Sequence, residues 1–308
     1  VPLFILPYYN VIGGWVVKYF VAYVKLVVGV DSGLGAPKAF FDTFVAAPWE
    51  PFVYMAIFTI ASSAIILIGV KNGIEKANLV MMPLLLLMAV GLAAYVVTLP
   101  GAGAGIRYYL VPDFSSCDNL GKVVLGAMGQ MFYSLSIAMG ILITFGSYMK
   151  KDVPIESSTR NVEVFDTAIA IMAGLMIIPA VFAFSGGDPD TLQAGPALMF
   201  ITIPKVFASM DLGTVVGVLF FLLVLFAAVT SSIALTESAV STFEDELGWD
   251  RKKATVLVGV IMVALGTLSS LGYGPLAGVT VIGMQFLDFF DFLTNSVMMP
   301  IAAIATCL

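Results

Sequence analysis

QMFYSLSIAMG, from Gln130 to Gly140, is the stretch of sequence on which the fold depends. It lies inside an apolar run, residues 123–149, that is long enough to cross a bilayer, because about twenty residues rising about 1.5 Å each span the hydrocarbon. Two serines, Ser134 and Ser136, stand at its centre among glycines and alanines, a composition that is poor for a helix without water around its backbone. Non-helical backbone at membrane depth persists only where it lines a cavity or binds something. The pattern predicts a helix broken near residues 134–138 at a ligand site, with a continuous, closely packed helix as the alternative.

The composition is that of an integral membrane protein. Of the 308 residues, 60% are hydrophobic and 11% are charged, whereas a soluble domain carries roughly 25% charged residues. The chain has no histidine, which excludes HExxH zinc hydrolases, haem ligation and serine–histidine catalysis. The net charge of -6 and the small size of the basic clusters argue against nucleic-acid binding. We therefore expect a lipid bilayer as the surroundings of the chain, and no enzyme and no nucleic-acid partner.

The cysteines and the ends of the chain lead to two further predictions. Cys117 and Cys307 have no metal-ligand spacing, so both are expected to be free thiols. The sequence begins at Val1 and ends at Leu308, each inside an apolar run. We therefore expect a piece of a longer protein, truncated at both ends.

Eight membrane spans can be drawn in one transmembrane domain, residues 1–308. Basic residues cluster in three short connections between spans, at 71–76, 150–160 and 251–253. By the positive-inside rule these connections are cytoplasmic, the first span runs outward, and the protein is a multi-pass protein of the cell membrane. The predicted spans are residues 3–26, 51–70, 77–98, 123–149, 162–185, 213–241, 254–272 and 278–308.

A few ionisable side chains fall inside these spans, where each is costly and marks a functional hypothesis. Asp166 and Glu237 lie near the ends of their spans, so hydration from the membrane surface is the alternative. Asp288 and Asp291 lie one turn apart on one helix face. An intramembrane aspartyl enzyme is disfavoured, because such a dyad shares a proton between carboxylates that usually come from different helices. Lys18 is a charged residue of the first span.

Two polar patterns indicate ligand binding. The run FAAVTSSIAL places Ala227, Thr230 and Ser231 at i, i+3 and i+4, so one helix face offers a carbonyl and two hydroxyls without formal charge. Such a set suits a weakly held monovalent cation, and the alternative is hydroxyls bonded back to their own helix. In YYNVIGGW, residues 8–15, a tyrosine hydroxyl at membrane depth needs a partner such as a substrate carboxylate, unless it anchors at the interface.

Seven segments carry a resemblance to one family, in order and over essentially the whole chain. They are YYNVIGGW (8–15), GVKNGIEKANLVMMP (69–83), GIRYYLVPDFS (105–115), GQMFYSLSIAMGILITFGSYMKKD (129–152), AGLMIIPAVFAF (173–184), GPALMFITIPKVF (195–207) and FAAVTSSIALTESAVSTFEDEL (226–247). The chain resembles the neurotransmitter:sodium symporter family, and its bacterial amino-acid transporters in particular. The resemblance implies an all-α, leucine-transporter-like fold of two inverted five-helix repeats, of which this chain corresponds to helices three to ten.

The resemblance also implies a function and the residues that carry it. The function is sodium-coupled symport of a hydrophobic or aromatic L-amino acid by alternating access, with two sodium sites, no organic cofactor and no requirement for an oligomer. Ser134 and Asp166 are similar to the first sodium site, and Ala227, Thr230 and Ser231 to the second. Asp291 is similar to an acidic outer-gate residue. The residues similar to the substrate site are Tyr9, Ile5, Ile12, Tyr133, Ser134, Ser136, Met139 and Leu235.

Two departures from the family pattern shape the prediction. Asp166 stands where many members have a neutral amide, beside which animal members bind chloride, so a fixed carboxylate here predicts chloride independence. Met139 stands where the leucine transporter has phenylalanine, and its flexible thioether can adapt to larger side chains. A proton-coupled relative of the same fold is the alternative. It would place a basic side chain at Thr230 and Ser231, and residues 226–235 contain none.

Overall fold

The computed structural model describes residues 1–112, 119–185 and 195–308, and these are almost entirely helical. Short π-helical segments precede α4 and α9 and join α12 to α13, at Val70–Glu75, Leu198–Thr202 and Leu293–Met298. The α-helices are α1 (Pro2–Val27), α2 (Pro37–Ala46), α3 (Glu50–Ile68), α4 (Lys76–Val97), α5 (Ala102–Leu110), α6 (Leu120–Ser134), α7 (Ile141–Ser147), α8 (Ile155–Ser185), α9 (Ile203–Ala208), α10 (Gly213–Leu247), α11 (Arg251–Leu271), α12 (Phe286–Phe292) and α13 (Met299–Cys307).

Seven helical segments in the described part of the chain are long and apolar enough to cross a membrane. They are α1, α3, α4 with its preceding π segment, α8, α10, α11, and α12 continued through α13. The remaining predicted span, residues 123–149, is occupied by the two short helices α6 and α7. The chain is thus a multi-pass membrane protein.

Several helix limits differ from the predicted spans. The helices α8 and α10 extend into charged sequence, starting at Ile155 and ending at Leu247, because a helix can continue into water after its apolar part has left the bilayer. The last span begins later than predicted. Residues 278–285 form turns closed by a bridge between Val281 and Met284, and the helix starts only at Phe286. Of the two cysteines, Cys307 is free, and Cys117 lies outside the described residues.

The first helix is the centre of the bundle. It packs against α10, α3 and α11. Its two adjacent glycines make the contact with α3 possible, since a Cβ on Gly13 would lie 2.5 Å from the Phe58 ring and one on Gly14 would lie 2.5 Å from the Met55 backbone nitrogen. Close approach of this kind replaces the hydrophobic driving force that is missing between helices in lipid. Helix α1 therefore holds YYN, residues 8–10, at a fixed place inside the protein.

The charge on Lys18 has a structural explanation. Its ammonium group forms an ion pair with Glu50. It also lies 5.2 to 5.6 Å from the ring centroids of Phe40, Phe44 and Tyr54, which is the range of cation–π attraction. These contacts compensate the charge of Lys18 near the start of α3, so a structural role accounts for this residue.

Candidate functional site

The helix break predicted from QMFYSLSIAMG is the central feature of the site. Helix α6 ends at Ser134 and α7 begins at Ile141, so residues 135–140 are not helical. Within the break, Ser136 and Ala138 have φ angles of 56° and 63°, a left-handed conformation that is uncommon for residues other than glycine. Strained backbone of this kind clusters at ligand sites, where the surrounding structure holds it in place. A continuous helix across this span is not what the structure shows.

Two of the predicted sodium ligands are in direct contact beside the break. The hydroxyl of Ser134, the last residue of α6, donates a hydrogen bond to Oδ1 of Asp166 on α8 at 2.6 Å. Asp166 lies about three turns after the start of α8 at Ile155 and is half-buried. The structure therefore joins a hydroxyl oxygen and a carboxylate that lie 32 residues apart in the chain.

The second predicted cation site has the geometry of hydroxyls bonded to their own helix. The Thr230 hydroxyl lies 3.0 Å from each of the carbonyl oxygens of Phe226 and Ala227 and donates to them. Its hydrogen points at the helix, so a lone pair of its oxygen faces away from the helix and remains able to accept a cation. Ser231, the next residue along the same helix, is exposed. The observed hydrogen bonds of Thr230 to its own helix are therefore compatible with both predicted alternatives, a cation site and simple back-bonding.

Tyr8 was not among the predicted site residues, but its hydroxyl contacts one of them, Tyr133. Its hydroxyl donates to the Tyr133 hydroxyl at 3.4 Å and lies 3.5 Å from the Thr294 hydroxyl, so α1, α6 and the last span meet at this point. Asp291, one turn before Asn295, accepts a hydrogen bond from the Asn295 amide at 2.6 Å and is exposed. The only sequence signal for this contact is that Tyr8 stands next to Tyr9. Successive residues on a helix point about 100° apart, so the two tyrosines reach different neighbours.

The predicted side-chain pocket is only partly gathered by the structure. Ile5, Met139 and Leu235 are buried, and Ile12 and Tyr133 pack at the edge of the same core. Ser136 and Met139 also line a cleft of about 820 Å³, whose other polar lining consists of hydroxyl residues of α7 and α10 and the carboxylates of Asp245 and Glu246. The remaining predicted site residues do not line this cleft; they are Tyr9, Ile5, Ile12, Tyr133, Ser134, Leu235, Asp166, Ala227, Thr230, Ser231 and Asp291.

Glu237, which with Asp166 was predicted near a span end, is fully buried rather than hydrated. Arg251, the first residue of α11, reaches it with two nitrogen–oxygen distances of 2.5 and 3.1 Å. Tyr148 donates to the same carboxylate at 2.7 Å, and Arg251 Nε donates to the Ile66 carbonyl at 2.9 Å. Glu244 completes the group at 3.2 Å from Arg251. The alternative of a hydrated span end is therefore wrong for Glu237.

The described residues contain no group of three or more histidine, cysteine, aspartate or glutamate side chains that could hold a metal ion. A divalent ion in a hard-oxygen site needs several carboxylates or many oxygens. The proposed donor sets instead contain at most one carboxylate each, at Asp166, and are otherwise hydroxyl and carbonyl oxygens. This chemistry suits a monovalent cation.

Comparison with known proteins decides the family. The family model described as "Sodium:neurotransmitter symporter family" matches residues 47–308. The chain belongs to this family. Members of this family are transporters and not enzymes, so the predictions of a non-enzymatic protein and of a multi-pass membrane location are confirmed.

Two bacterial relatives and one solved structure illustrate the match. The chain is 33% identical over 304 residues to an "uncharacterized sodium-dependent transporter" of Haemophilus influenzae, and the match covers 97% of this chain and 65% of the relative. It is also 33% identical over 302 residues to the sodium-dependent transporter YhdH of Bacillus subtilis, and this match likewise covers 97% of this chain and 65% of the relative. The crystal structure of MhsT in complex with L-phenylalanine superposes with a TM-score of 0.86 at 40% identity, covering 98% of this chain and 67% of that chain.

These matches bear on the fold and on the extent of the protein. The symporter-family fold predicted from the resemblance, all-α and leucine-transporter-like, is confirmed by the helical structure and the match to MhsT. The chain spans about two thirds of the length of the relatives that it matches, 65% in both bacterial cases.

Proposed function

We propose that this member of the sodium:neurotransmitter symporter family transports a hydrophobic or aromatic L-amino acid together with sodium, by alternating access across the cell membrane. The observation that carries the proposal is the hydrogen bond of 2.6 Å between Ser134 and Asp166 beside the helix break. An ionisable side chain within a membrane helix marks an ion or substrate pathway by default, and here a hydroxyl oxygen lies beside the carboxylate. The names of the bacterial relatives, sodium-dependent transporters, identify sodium as the cation to test.

The first sodium ion is proposed to bind between the break and α8. Carboxylate and hydroxyl oxygens are hard donors that suit sodium, and Asp166 is the only carboxylate among the proposed ligands. The carboxylate of an amino-acid substrate at the break, next to Ser134, is a further oxygen donor of the same kind. Sodium and substrate would then stabilise each other, which is the physical basis of coupled transport.

The second sodium ion is proposed to bind at Ala227, Thr230 and Ser231. The Thr230 oxygen turns a lone pair away from its helix, and Ser231 is exposed. These donors carry no formal charge, so they hold a monovalent ion weakly enough for it to leave on the other side of the membrane. Each sodium ion that moves down 100 mV supplies about 2.3 kcal/mol, before its concentration gradient is counted.

The proposed substrate follows from the side chains around the break. Ile5, Met139 and Leu235 are buried and apolar, so they cannot compensate a charge on the substrate side chain. Met139 is adaptable, and Tyr133 can stack on an aromatic ring, which favours a large or aromatic side chain. The Tyr9 hydroxyl is proposed to donate to the substrate carboxylate. MhsT, whose crystal structure contains L-phenylalanine, supports this class of substrate.

Uptake into proteoliposomes containing the full-length protein tests the proposed function. An inward sodium gradient should drive accumulation of labelled phenylalanine, and unlabelled leucine, tyrosine or tryptophan should compete with it. Lysine or glutamate competing better than these three would contradict the pocket assignment. Uptake driven by a proton gradient without sodium would favour the proton-coupled alternative instead.

Removing either hydroxyl of the second site should weaken sodium binding. Thr230→Ala and Ser231→Ala each delete one of three proposed oxygen ligands, so the sodium concentration for half-maximal uptake should rise about tenfold in each. Thr267→Ala is the control, because the Thr267 hydroxyl is likewise bonded to its own helix, at 2.6 Å from the Val263 carbonyl, but belongs to no proposed ligand set. Unchanged sodium dependence in both site variants would refute the assignment.

A further inference from the structure

A buried polar network is centred on Asn10, the residue after Tyr9. The Asn10 amide nitrogen donates to the Thr59 hydroxyl on α3 at 3.1 Å and lies 3.2 Å from the Met262 sulfur on α11. The Asn10 amide oxygen accepts a hydrogen bond from the Ser232 hydroxyl on α10 at 3.0 Å. Asn10, Ser232 and Met262 have no exposed surface, and Thr59 is 2% exposed. Four helices are thus joined through one side chain.

The network is anchored at its α10 end as well. The Thr236 hydroxyl donates to the Ser232 carbonyl at 2.7 Å and lies 3.7 Å from the Met262 sulfur. Thr236 is also fully buried. A buried amide whose oxygen and nitrogen are both satisfied fixes the relative position of the helices that supply its partners, because sliding either helix would leave a polar atom unpaired away from water.

The two ends of the Asn10–Ser232 hydrogen bond are sequence neighbours of proposed ligands. Asn10 follows Tyr9, the proposed partner of the substrate carboxylate, and Ser232 follows Ser231 of the proposed second sodium site. The hydrogen bond therefore sets the register of α1 against α10 at the level where both ligands stand.

We infer that Asn10 and Ser232 are positioning residues, which hold Tyr9 and the pair Thr230–Ser231 at the separation that sodium and substrate binding require. This inference rests on the proposed function. Neither residue touches the substrate or the ion in this arrangement. They act by fixing the interface between α1 and α10, the most extensive helix pair in the described structure.

The Asn10 amide also donates a hydrogen bond to Thr59, and this bond provides a control that distinguishes a positioning role from general stabilisation. Ser232→Ala and Thr59→Val each delete one hydroxyl partner of Asn10 from a fully buried place. Only Ser232 lies on the helix that carries the proposed sodium ligands, whereas α3 carries none of the proposed site residues. A purely structural network would make the two variants equivalent in their effect on sodium.

The experiment measures sodium-dependent phenylalanine uptake and sodium-dependent thermal stabilisation for the full-length wild type and both variants. In Ser232→Ala we expect the half-maximal sodium concentration to rise about tenfold in both measurements, at the lower end of what the loss of an outer-shell partner costs a metal site. In Thr59→Val we expect a change of less than about twofold, although both variants should lose thermal stability. Ser232→Cys, which keeps a weak donor of similar size, replaces Ser232→Ala if that variant aggregates.

The outcomes distinguish the inference from the function on which it rests. Equal shifts in the two hydroxyl variants, or no shift in either, would overturn the positioning role while wild-type symport stands. A wild type without any sodium response would overturn both the proposed function and this inference. A shift confined to the Ser232 variants would support the inference.

Discussion

Sodium-driven uptake by the wild-type protein is expected to continue when chloride is replaced by gluconate, and Asp166→Asn is expected to lower that uptake or to make it respond to chloride. Two sodium ions and a zwitterionic substrate bring excess positive charge between the membrane helices, where it is costly unless a negative charge lies nearby. Asp166 is half-buried and bonded to Ser134 at 2.6 Å, so its carboxylate is placed where this charge is needed.

The Asp166→Asn variant preserves shape and removes charge. The Ser134 hydroxyl can still donate to the amide oxygen, so the local structure should persist while the electrostatic balance changes. The loss of a charge that offsets a buried cation corresponds to several kcal/mol in a site of low polarity, and we expect uptake in gluconate to fall at least about tenfold.

The measurement is initial uptake into proteoliposomes in chloride and in gluconate, for wild type and variant side by side. Asp288→Asn is the matched control, because Asp288 is a carboxylate of the last span outside the proposed sodium sites. A wild type that stops without chloride would refute the role given to Asp166. So would an Asp166→Asn variant that matches the wild type in both anions.

Arg251→Ala is expected to destabilise the folded protein strongly. The Glu237 carboxylate has no exposed surface, and Arg251 is its cationic partner at 2.5 Å. Removing the partner leaves a buried charge without compensation, which typically costs about 3–5 kcal/mol. The Tyr148 hydroxyl, 2.7 Å from Glu237, can offset only part of this cost.

Thermal unfolding of the purified protein in detergent measures this effect. Lys252→Ala is the control, because Lys252 is the next residue along the same helix and is exposed. Glu237→Gln should cost less than Arg251→Ala, since it removes the buried charge and leaves Arg251 paired with Glu244 at 3.2 Å. If Arg251→Ala and Lys252→Ala unfolded at the same temperature, the buried ion pair would not contribute to stability as described.

The membrane architecture could be predicted from the sequence because hydropathy is a local property. A run of about twenty apolar residues cannot avoid the bilayer, and serines among small residues at its centre weaken a helix wherever it lies. The limits of α8 and α10 were predicted less well, since an apolar pattern marks where the bilayer ends and not where the helix ends. The family resemblance added the fold and the ligand candidates, which composition could not supply.

Contacts across the fold were not predictable in the same way. Glu237 lies near the end of an apolar run, and only the turn between α10 and α11 brings Arg251 back onto it and excludes water. Asn10 is one polar residue among apolar neighbours in the sequence, and its role depends on partners 49 and 222 residues away.

The sequence by itself therefore determined that the chain spans a membrane, where its backbone breaks, and which family it resembles. The tertiary structure decided which polar groups meet: Ser134 with Asp166, Glu237 with Arg251, and Asn10 with Ser232. The physical reason is that burial in lipid and helix propensity act on neighbouring residues, whereas a hydrogen bond or ion pair needs two atoms within about 3 Å, a condition that only the packing of helices can meet.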